Sequence, residues 1–497
     1  MQDHSPSLFD RPGYIAIGEY LNDIQTMMKR GPWKLPIGIG DRFHLGILAA
    51  MEKYSWFSDA LFVSHPHEIS PAYSILLSYA KRKGILDHFR EKRINFPGYY
   101  SYFLEKRIEI GERSWRLYAQ GVAQDRATAL SKSLGEMIER YVSGIGDQNT
   151  DVLIASPSDL LKKGTPLIYP PLYHRFSKTH IHAFADLAYD PEQTIGWVVG
   201  KNILSNKDVL IPKQMTSWFV SGRMDKKFLF DPTTNGSAGH FTKEGAILRG
   251  LLEVIERDAF LVHWLTKTPP RKVEEKTLPE HIRNMMNAFR ARGISTTILD
   301  TTALGIPSVC VTGITYQAEV PQIVISGCSA PTALEAIESA MRELITCSGS
   351  FYYEPGENTE SAENESAATA NLGKIGRQLF WRGKEKLRRF NWFLEGPAIT
   401  YQELSKNDLG TRTESALETC TRLLSSFGSE FEPIVYSPQN TILEDLGFFV
   451  SQVYVPMAFP LYLLERRGTF ESNRLRQFAR SKSIEAWEIN TDPHPFS

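Results

Sequence analysis

Apolar residues recur every three or four positions in several long stretches, which predicts amphipathic helices. The longest of these stretches are residues 125–143, 242–265, 278–292 and 332–347. Between and around them are short runs rich in β-branched residues, which predict strands. These runs are WRLYAQGVA (115–123), TIGWVVGKNI (194–203), DVLIPKQM (208–215), TTILDTTA (296–303), PSVCVTGITY (307–316), QIVISGCS (322–329) and GFFVSQVYVPM (447–457). The alternation predicts an α/β or α+β domain with a central sheet, of which we take α+β.

The first 95 residues have a different pattern, with helical periodicity and few strand signals. Three helices are predicted there, over residues 17–29, 43–54 and 72–89. We therefore expect residues 1–95 to form a mostly helical accessory module and residues 96–497 to form the main domain. Within the main domain, residues 354–373 are acidic and poor in apolar side chains, which predicts a mobile surface loop.

Two of the predicted helices carry charges among residues that are otherwise apolar. In both helices two glutamates and an arginine stand at positions i, i+3 and i+4, so they share one helical face. These residues are Glu136, Glu139 and Arg140 in KSLGEMIERY, and Glu253, Glu256 and Arg257 in LLEVIERDAF. A third helix, ALEAIESAMRELI, carries Glu335, Glu338 and Glu343 in a similar apolar frame.

A charge in apolar surroundings is costly unless it is paired or binds a cation. An internal Glu–Arg salt bridge satisfies this requirement for one helix alone. Because the pattern occurs twice, however, acids from separate helices would face and repel one another. Carboxylate oxygens are the ligands of Mg²⁺, which brings phosphate with it, so the repeat favours a magnesium–nucleotide site.

Composition narrows the class of protein. A net charge of -1 over 497 residues argues against nucleic acid as the main partner, and no run of about 18 apolar residues predicts a membrane span. Four cysteines without a Cys-x-x-Cys pair suit a reducing compartment. We expect a cytoplasmic protein. The sequence contains neither a P-loop motif nor a Gly-x-Ser-x-Gly motif.

A glycine-containing segment, NGSAGHFT at residues 235–242, precedes the helix that carries Glu253. Thr242 is a suitable N-cap, and small side chains would let backbone N–H groups approach a phosphate near the start of that helix. An ordinary glycine turn is the alternative.

Three blocks in this order resemble the signature blocks of the YcaO family. They are ALSKSLGEMIERY (129–141), NGSAGHFTKEGAILRGLLEVIERDA (235–259) and SGCSAPTALEAIESAMRELI (326–345). The similarity runs from about residue 115 to the C-terminus. It implies an ATP-binding fold with central sheets and pseudo-repeated helices, in which glutamates hold Mg²⁺ and basic residues hold phosphates.

The resemblance also implies roles for particular positions. It implies magnesium ligands, or their immediate support, at Glu136, Glu139, Glu253, Glu256 and Glu343. It implies nucleotide contacts at Lys132, Arg140, Asn235, Ser237, Arg257 and Glu343. Lys132 stands where the family often has serine, and Thr346 stands where it often has glutamine; a lysine can still reach a phosphate.

The chain ends in TDPHPFS, which is similar to the Pro-x-Pro-x-Pro tail of azoline-forming members of the family. Pro493 and Pro495 fit this pattern, and Ser497 replaces the last proline. Such a tail is stiff and can thread into a pocket, placing the terminal carboxylate beside the reaction. We therefore assign Pro495 and Ser497 to catalysis, together with Glu136, Glu139, Glu253 and Glu256. A frayed tail is the alternative, and in either case we expect its deletion to change the melting temperature little.

The tail pattern implies an ATP-dependent cyclodehydratase that converts Cys, Ser or Thr of a ribosomally made precursor peptide to thiazoline or oxazoline, as in microcin and other bacteriocin biosynthesis. The resemblance further implies a leader-binding E1-like or ThiF-like partner, which we expect to dock partly on residues 1–95. It leaves open an FMN-dependent dehydrogenase and a homodimer. Peptide thioamidation and a non-catalytic nucleotide-binding scaffold are the alternative functions.

Overall fold

A computed structural model describes the sheets and helices of the main domain and short parts of the N-terminal region. The described residues are 14–16, 80, 82–91, 94, 96–110, 113–146, 151–169, 182, 188–217, 233–315, 320–347, 373–410, 415–462, 472–484 and 488–496. Most of residues 1–95, the predicted acidic loop up to residue 372, and Ser497 therefore lie outside the described part of the chain.

Helices and strands alternate along the chain. The helices are α1 Arg126–Ile145, α2 Pro157–Lys162, α3 Lys213–Thr216, α4 Lys243–Leu265, α5 Glu280–Arg290, α6 Ala333–Cys347, α7 Gly373–Phe380, α8 Lys384–Phe390, α9 Tyr401–Leu404, α10 Ala416–Ser425, α11 Thr441–Leu446 and α12 Asn473–Ser481. The strands are β1 Tyr14–Ala16, β2 His88–Glu91, β3 Tyr100–Ile110, β4 Arg113–Ala123, β5 Leu153–Ala155, β6 Ile195–Asn202, β7 Asp208–Pro212, β8 Ser237–His240, β9 Arg271–Val273, β10 Ile294–Asp300, β11 Ser308–Thr315, β12 Gln322–Ser329, β13 Ala398–Ile399, β14 Ile434–Tyr436 and β15 Phe449–Tyr454.

These strands form three sheets. The first has the order β1-β2-β3-β4, the second β12-β11-β10-β9-β13, and the third β5-β6-β14-β15-β8 with β7 beside β6. Neighbouring strands are antiparallel except for β13 and β9, which are parallel. The predicted mixture of helices and central sheets is confirmed, and the four long predicted helices correspond to α1, α4, α5 and α6. The predicted strand over residues 208–215 ends at Pro212, because proline has no N–H to donate to a sheet.

The predicted helix over residues 72–89 is wrong at its end. Gly84 adopts a left-handed conformation, with φ 64°, which stops a helix. The chain then forms β2, in which Phe89 lies opposite Leu104 of β3 and both side chains are buried. Because β1 pairs with β2, two segments of the first 95 residues belong to the same sheet as β3 and β4. The other helices predicted there lie mainly or wholly outside the described residues, and the division at residue 95 stays a prediction.

Three long helices pack so that their polar faces meet. α1 buries Leu134, Met137 and Ile138 in the core of the first sheet. α6 buries Ile337 and Leu344 against the second sheet. α4 lies between the second and third sheets, in contact with β12 and β15. The faces of these helices that carry the glutamates are thereby directed to one space, which β4 also borders.

Candidate functional site

A cavity of about 890 Å³ lies among α1, α4, α6, β4 and the loop before β8. The predicted site residues that line it are Lys132, Glu136, Glu139, Arg140, Asn235, Ser237, Glu253, Arg257 and Glu343. The lining does not include Glu256 or Pro495. The sequence pattern therefore identified the residues that converge, although the individual roles assigned to them stay predictions.

The α1 wall of the cavity is tied to β4 through Glu136 and Arg140. The helix begins at an Asp125 cap, whose side chain accepts a hydrogen bond from Thr128 N. One carboxylate oxygen of Glu136 accepts a hydrogen bond of 2.8 Å from Gln120 N, and the other lies 2.6 Å from Arg140 Nη2. Arg140 also donates to the Tyr118 carbonyl. These contacts hold the first Glu–Arg pair against the edge of β4.

Glu139 lies deeper in the same wall, and its surroundings compensate its charge only in part. Its Oε2 accepts a hydrogen bond of 3.2 Å from Gly239 N in β8. Burial, followed by repulsion from Glu253 and Glu136, raises the pKa of Glu139 to about 8, although Arg140 and the Ser237 hydroxyl oppose this shift. Acids of α1 and α4 are therefore close enough to repel one another, as the repeated pattern predicts.

The α4 wall contains the second Glu–Arg set. Glu253 accepts hydrogen bonds of 3.2 Å from Arg257 Nη2 and of 3.2 Å from Gly236 N. Position 236 requires glycine, because φ is 77° and a Cβ would lie 2.1 Å from the Val453 carbonyl oxygen. Arg257 Nη1 lies 3.1 Å from Glu256 Oε1. Burial raises the pKa of Glu253 despite Arg257, and it raises the pKa of Glu256 well above the ordinary value.

Both interpretations of the charged helices find support in this geometry. Arg140 pairs with Glu136 and Arg257 pairs with Glu253, as the salt-bridge interpretation requires. Those pairs leave the pKa values of Glu139 and Glu256 raised. In the described part of the chain, Arg257 Nε is buried without a hydrogen-bond partner, and the 3.1 Å contact of Arg257 Nη1 with Glu256 Oε1 is an ion pair that lacks hydrogen-bond geometry. A buried donor without a partner beside acids with raised pKa values fits a site that is completed by a cation and a phosphate.

The carboxylates are not gathered into a ready-made metal centre. Among the described residues, no group of three or more His, Cys, Asp or Glu side chains is placed to hold a metal ion. Glu136 and Glu253 are instead held by the arginines of their own helices. The five-glutamate ligand set consequently stays a prediction, which requires these side chains to rearrange around a cation.

The basic side of the cavity includes Lys132, which the family resemblance indicated, and Arg342, which the sequence patterns did not identify. Lys132 is exposed to the cavity, yet the surrounding protein and the positive charges of Arg342 and Arg249 lower its pKa to about 8. Arg342 lines the cavity and donates a hydrogen bond of 2.9 Å to Ser339 Oγ, one turn earlier on α6. The sequence did contain a signal for this residue, because Arg342 directly precedes Glu343 in a helix with a glutamate pattern.

The segment NGSAGHFT differs from a simple loop. Thr242 is the N-cap of α4, as predicted, and its side chain accepts a hydrogen bond from Gly245 N. Ser237–His240, however, is strand β8, paired with β15. Neither Thr242 nor Gly245 lines the cavity. The backbone N–H groups of Gly236 and Gly239 donate instead to Glu253 and Glu139, so this segment positions the acids.

The C-terminal tail is buried up to Phe496, so the interpretation as a frayed end is wrong. Trp381 Nε1 donates to the Pro493 carbonyl at 2.9 Å, and Arg377 Nη1 donates to the His494 carbonyl at 3.1 Å. Phe496 has no exposed surface. Because Phe496 belongs to a hydrophobic core, we now expect deletion of the tail to lower the melting temperature rather than to leave it unchanged.

Comparison with known proteins places these features in a family. Residues 120–458 match the model of the family described as YcaO cyclodehydratase, ATP- and Mg²⁺-binding. An uncharacterized protein of Methanothermobacter thermautotrophicus is 27% identical over 274 residues, which is 54% of this chain and 66% of that protein. An uncharacterized protein in the tfuA 3′ region of Rhizobium leguminosarum bv. trifolii is 32% identical over 123 residues, which is 23% of this chain and 28% of that protein.

Solved structures agree in fold. A heterocyclase in complex with substrate and cofactor has a TM-score of 0.67 and 19% identity, covering 95% of this chain and 61% of the heterocyclase. YcaO from Methanopyrus kandleri, bound with AMPPCP and Mg²⁺, has a TM-score of 0.54 and 16% identity, covering 77% of this chain and 90% of that protein. The chain thus spans less than two thirds of the heterocyclase and of either sequence relative.

No helix in the described residues is long and apolar enough to cross a membrane.

Two observations bear on the family to which this chain belongs. The family match covers more than half of the chain and includes all three charged helices. The family is described as binding ATP and Mg²⁺, which agrees with the magnesium–nucleotide site that the charged faces of those helices predicted. The chain therefore belongs to the YcaO family.

Proposed function

We propose that this protein is an ATP- and Mg²⁺-dependent cyclodehydratase that forms thiazoline or oxazoline rings in a ribosomally made precursor peptide. The observation that carries the proposal is the convergence of the two Glu-x-x-Glu-Arg helices on one cavity, with Glu343 on a third wall. The buried, hydrogen-bonded tail supports the azoline-forming branch of the family, because the tail reaches the acidic wall of that cavity.

The side chains divide into two groups by charge. We assign Glu136, Glu139, Glu253, Glu256 and Glu343 to Mg²⁺. We assign Lys132, Arg140, Asn235, Ser237 and Arg257 to the nucleotide. Both assignments require Arg140 and Arg257 to exchange a carboxylate partner for phosphate oxygens, which arginine can bind through two N–H groups at once.

The reaction requires no nucleophile from the protein. A thiol or hydroxyl of the peptide adds to the preceding backbone carbonyl, and the oxygen of that carbonyl receives the γ-phosphoryl group of ATP. Loss of this oxygen as phosphate leaves the ring and ADP, so the peptide loses one water in mass. When bound, Mg²⁺ neutralises charge on the phosphates. Lysine and arginine side chains of the cavity stabilise the charge that develops during transfer.

An isotope experiment tests the reaction and the alternatives together. The protein is mixed with Mg²⁺, ATP, a candidate partner and a precursor peptide that carries heavy oxygen in the carbonyl before a cysteine. Cyclodehydration predicts a peptide lighter by one labelled water and heavy oxygen in the released phosphate. Thioamidation would instead require sulfide and replace oxygen by sulfur. A scaffold would leave both ATP and peptide unchanged.

The partner is a separate part of the proposal. A leader-binding protein would raise the effective concentration of the core peptide at the cavity. We propose that it docks partly on residues 1–95. Deleting those residues would remove β1 and β2 from the sheet that supports α1, so deletion would confuse docking with folding. Hydrogen exchange of the intact chain with and without partner is the better test, and unchanged protection over residues 1–95 would refute this docking surface.

A further inference from the structure

The ring of Phe496 lies over the guanidinium group of Arg257. The ring centroid is 4.6 Å from Arg257 Cζ, and Phe496 is fully buried. A cation over an aromatic face is attracted by the ring quadrupole, more strongly when the pair is desolvated. Arg257 itself lies between Glu253 and Glu256. The contact therefore connects the tail to the acidic wall of the cavity.

Other segments of the chain fix the position of this ring. Phe260, one turn after Arg257 on α4, packs against it with ring centroids 4.9 Å apart. On β12, Ile325 forms a parallel bridge with Phe496. Gly327 of the same strand leaves space for the ring, since a Cβ there would lie 2.8 Å from Phe496 Cε2. The glycine of the SGCS block is thus required by a residue near the end of the chain.

Hydrogen bonds alone do not fix the guanidinium. Its Nη2 donates to Glu253, its Nη1 forms a 3.1 Å ion pair with Glu256 that lacks hydrogen-bond geometry, and its Nε is buried without a hydrogen-bond partner among the described residues. One hydrogen bond and one such ion pair leave the planar cation some freedom to tilt. The Phe496 ring packs against the guanidinium and limits this tilt.

We propose that Phe496 is a positioning residue, which holds Arg257 in the orientation that nucleotide binding requires. This inference rests on the proposed function, because it takes Arg257 to contact the nucleotide. Phe496 does not line the cavity, so it acts through Arg257. The proposal predicts that loss of the ring weakens nucleotide binding beyond what loss of core packing explains.

The test measures binding of Mg²⁺–AMPPCP to the full chain by titration calorimetry. Phe496→Leu keeps an apolar side chain but removes the ring, and we expect about tenfold weaker affinity, which is about 1.4 kcal/mol. Gly327→Ala should also weaken the affinity, because its added methyl group would displace the Phe496 ring. Phe393→Leu is the matched control, because Phe393 is also fully buried and packs against Phe260 at 5.9 Å.

The variants distinguish a positioning role of Phe496 from a role in core stability, and the wild type tests the proposed function separately. Phe393→Leu should lower the melting temperature as Phe496→Leu does, while binding Mg²⁺–AMPPCP like the wild type. Equal loss of affinity in both variants would overturn the positioning role. In an Arg257→Lys background, Phe496→Leu should cause no further loss of affinity, and additive effects would also overturn it. A wild-type chain that binds no Mg²⁺–AMPPCP would refute the proposed function itself.

Discussion

Replacing Glu139 by glutamine should stabilise the metal-free protein. Burial and the charges of Glu253 and Glu136 raise the pKa of Glu139 from 4.5 to about 8. The folded chain therefore holds a proton that the unfolded chain has released between these two pH values. Stability attributable to this group is present below pH 4.5 and is lost as the pH rises to about 8.

The size of the effect follows from the same shift. At pH 7 a carboxyl group with these two pKa values makes folding less favourable by about 3 kcal/mol. Glutamine carries no charge, and its amide oxygen can still accept the hydrogen bond from Gly239 N. We expect Glu139→Gln to gain about 2 to 3 kcal/mol in metal-free buffer at pH 7. Since 1 kcal/mol shifts melting by about 2–4 °C in domains of 150–250 residues, the gain here should be a few degrees.

Differential scanning fluorimetry in EDTA, from pH 5 to pH 8, measures this effect. The difference in melting temperature between variant and wild type should be small at pH 5 and grow with pH. Adding Mg²⁺ and ATP should raise the melting temperature of the wild type and not that of Glu139→Gln, because a bound ligand stabilises the folded state. Glu109→Gln is the control, since it removes one charge at a side chain that is 69% exposed. A destabilised Glu139→Gln protein, or a gain independent of pH, would refute the reasoning.

Three further predictions concern stability and the basic side of the cavity. Burial lowers the pKa of His263 to about 4, so the stability of the protein should fall as the pH drops from about 6.5 to 4. In His263→Asn the amide can still donate to the Thr268 carbonyl, and melting experiments should show that up to about 3 kcal/mol of this pH dependence is lost. Truncation before Pro493 should lower the melting temperature by several degrees, since losing a buried aromatic such as Phe496 costs about 3–5 kcal/mol; unchanged melting would contradict the buried tail. Lys132→Ser should bind Mg²⁺–AMPPCP more weakly than wild type below pH 8, and the difference should shrink as the pH rises above the pKa of about 8; a constant difference would show that the lysine charge is not involved.

The long helices could be predicted because their periodicity extends over many turns, and the site because its charges repeat. Two glutamates and an arginine at i, i+3 and i+4 on one apolar helix fit either an internal salt bridge or a cation site. Two such helices imply that acids face one another, and Glu139 and Glu253 do repel each other. β8 was not predicted, since the residues of SAGH have low strand propensity. β8 forms because the edge of β15 supplies backbone hydrogen-bond partners. Small residues are required in β8, since a Cβ at Gly239 would lie 2.6 Å from Phe448 Cε1.

Contacts between distant segments lie outside any local pattern. Nothing near Arg257 indicates that Phe496 will cover it, and nothing near Gly327 indicates which ring requires the space. The two meet because β12 and α4 are packed together, and that packing depends on the whole core. The tail pattern could indicate a buried end, but the residue that reaches the site is Phe496, between the predicted positions 495 and 497.

The spacing within each charged helix has a physical consequence. Two glutamates and one arginine per helix leave one negative charge in excess on each charged face when both acids are ionised. In α1 the pair is Glu136 with Arg140, and Glu139 has the raised pKa. In α4 Arg257 pairs with both Glu253 and Glu256, yet the pKa of Glu256 is raised well above its ordinary value. A fold that keeps an excess of acid on each of two facing helices is less stable without a cation, so a ligand that supplies the charge should bind and stabilise it in the same step.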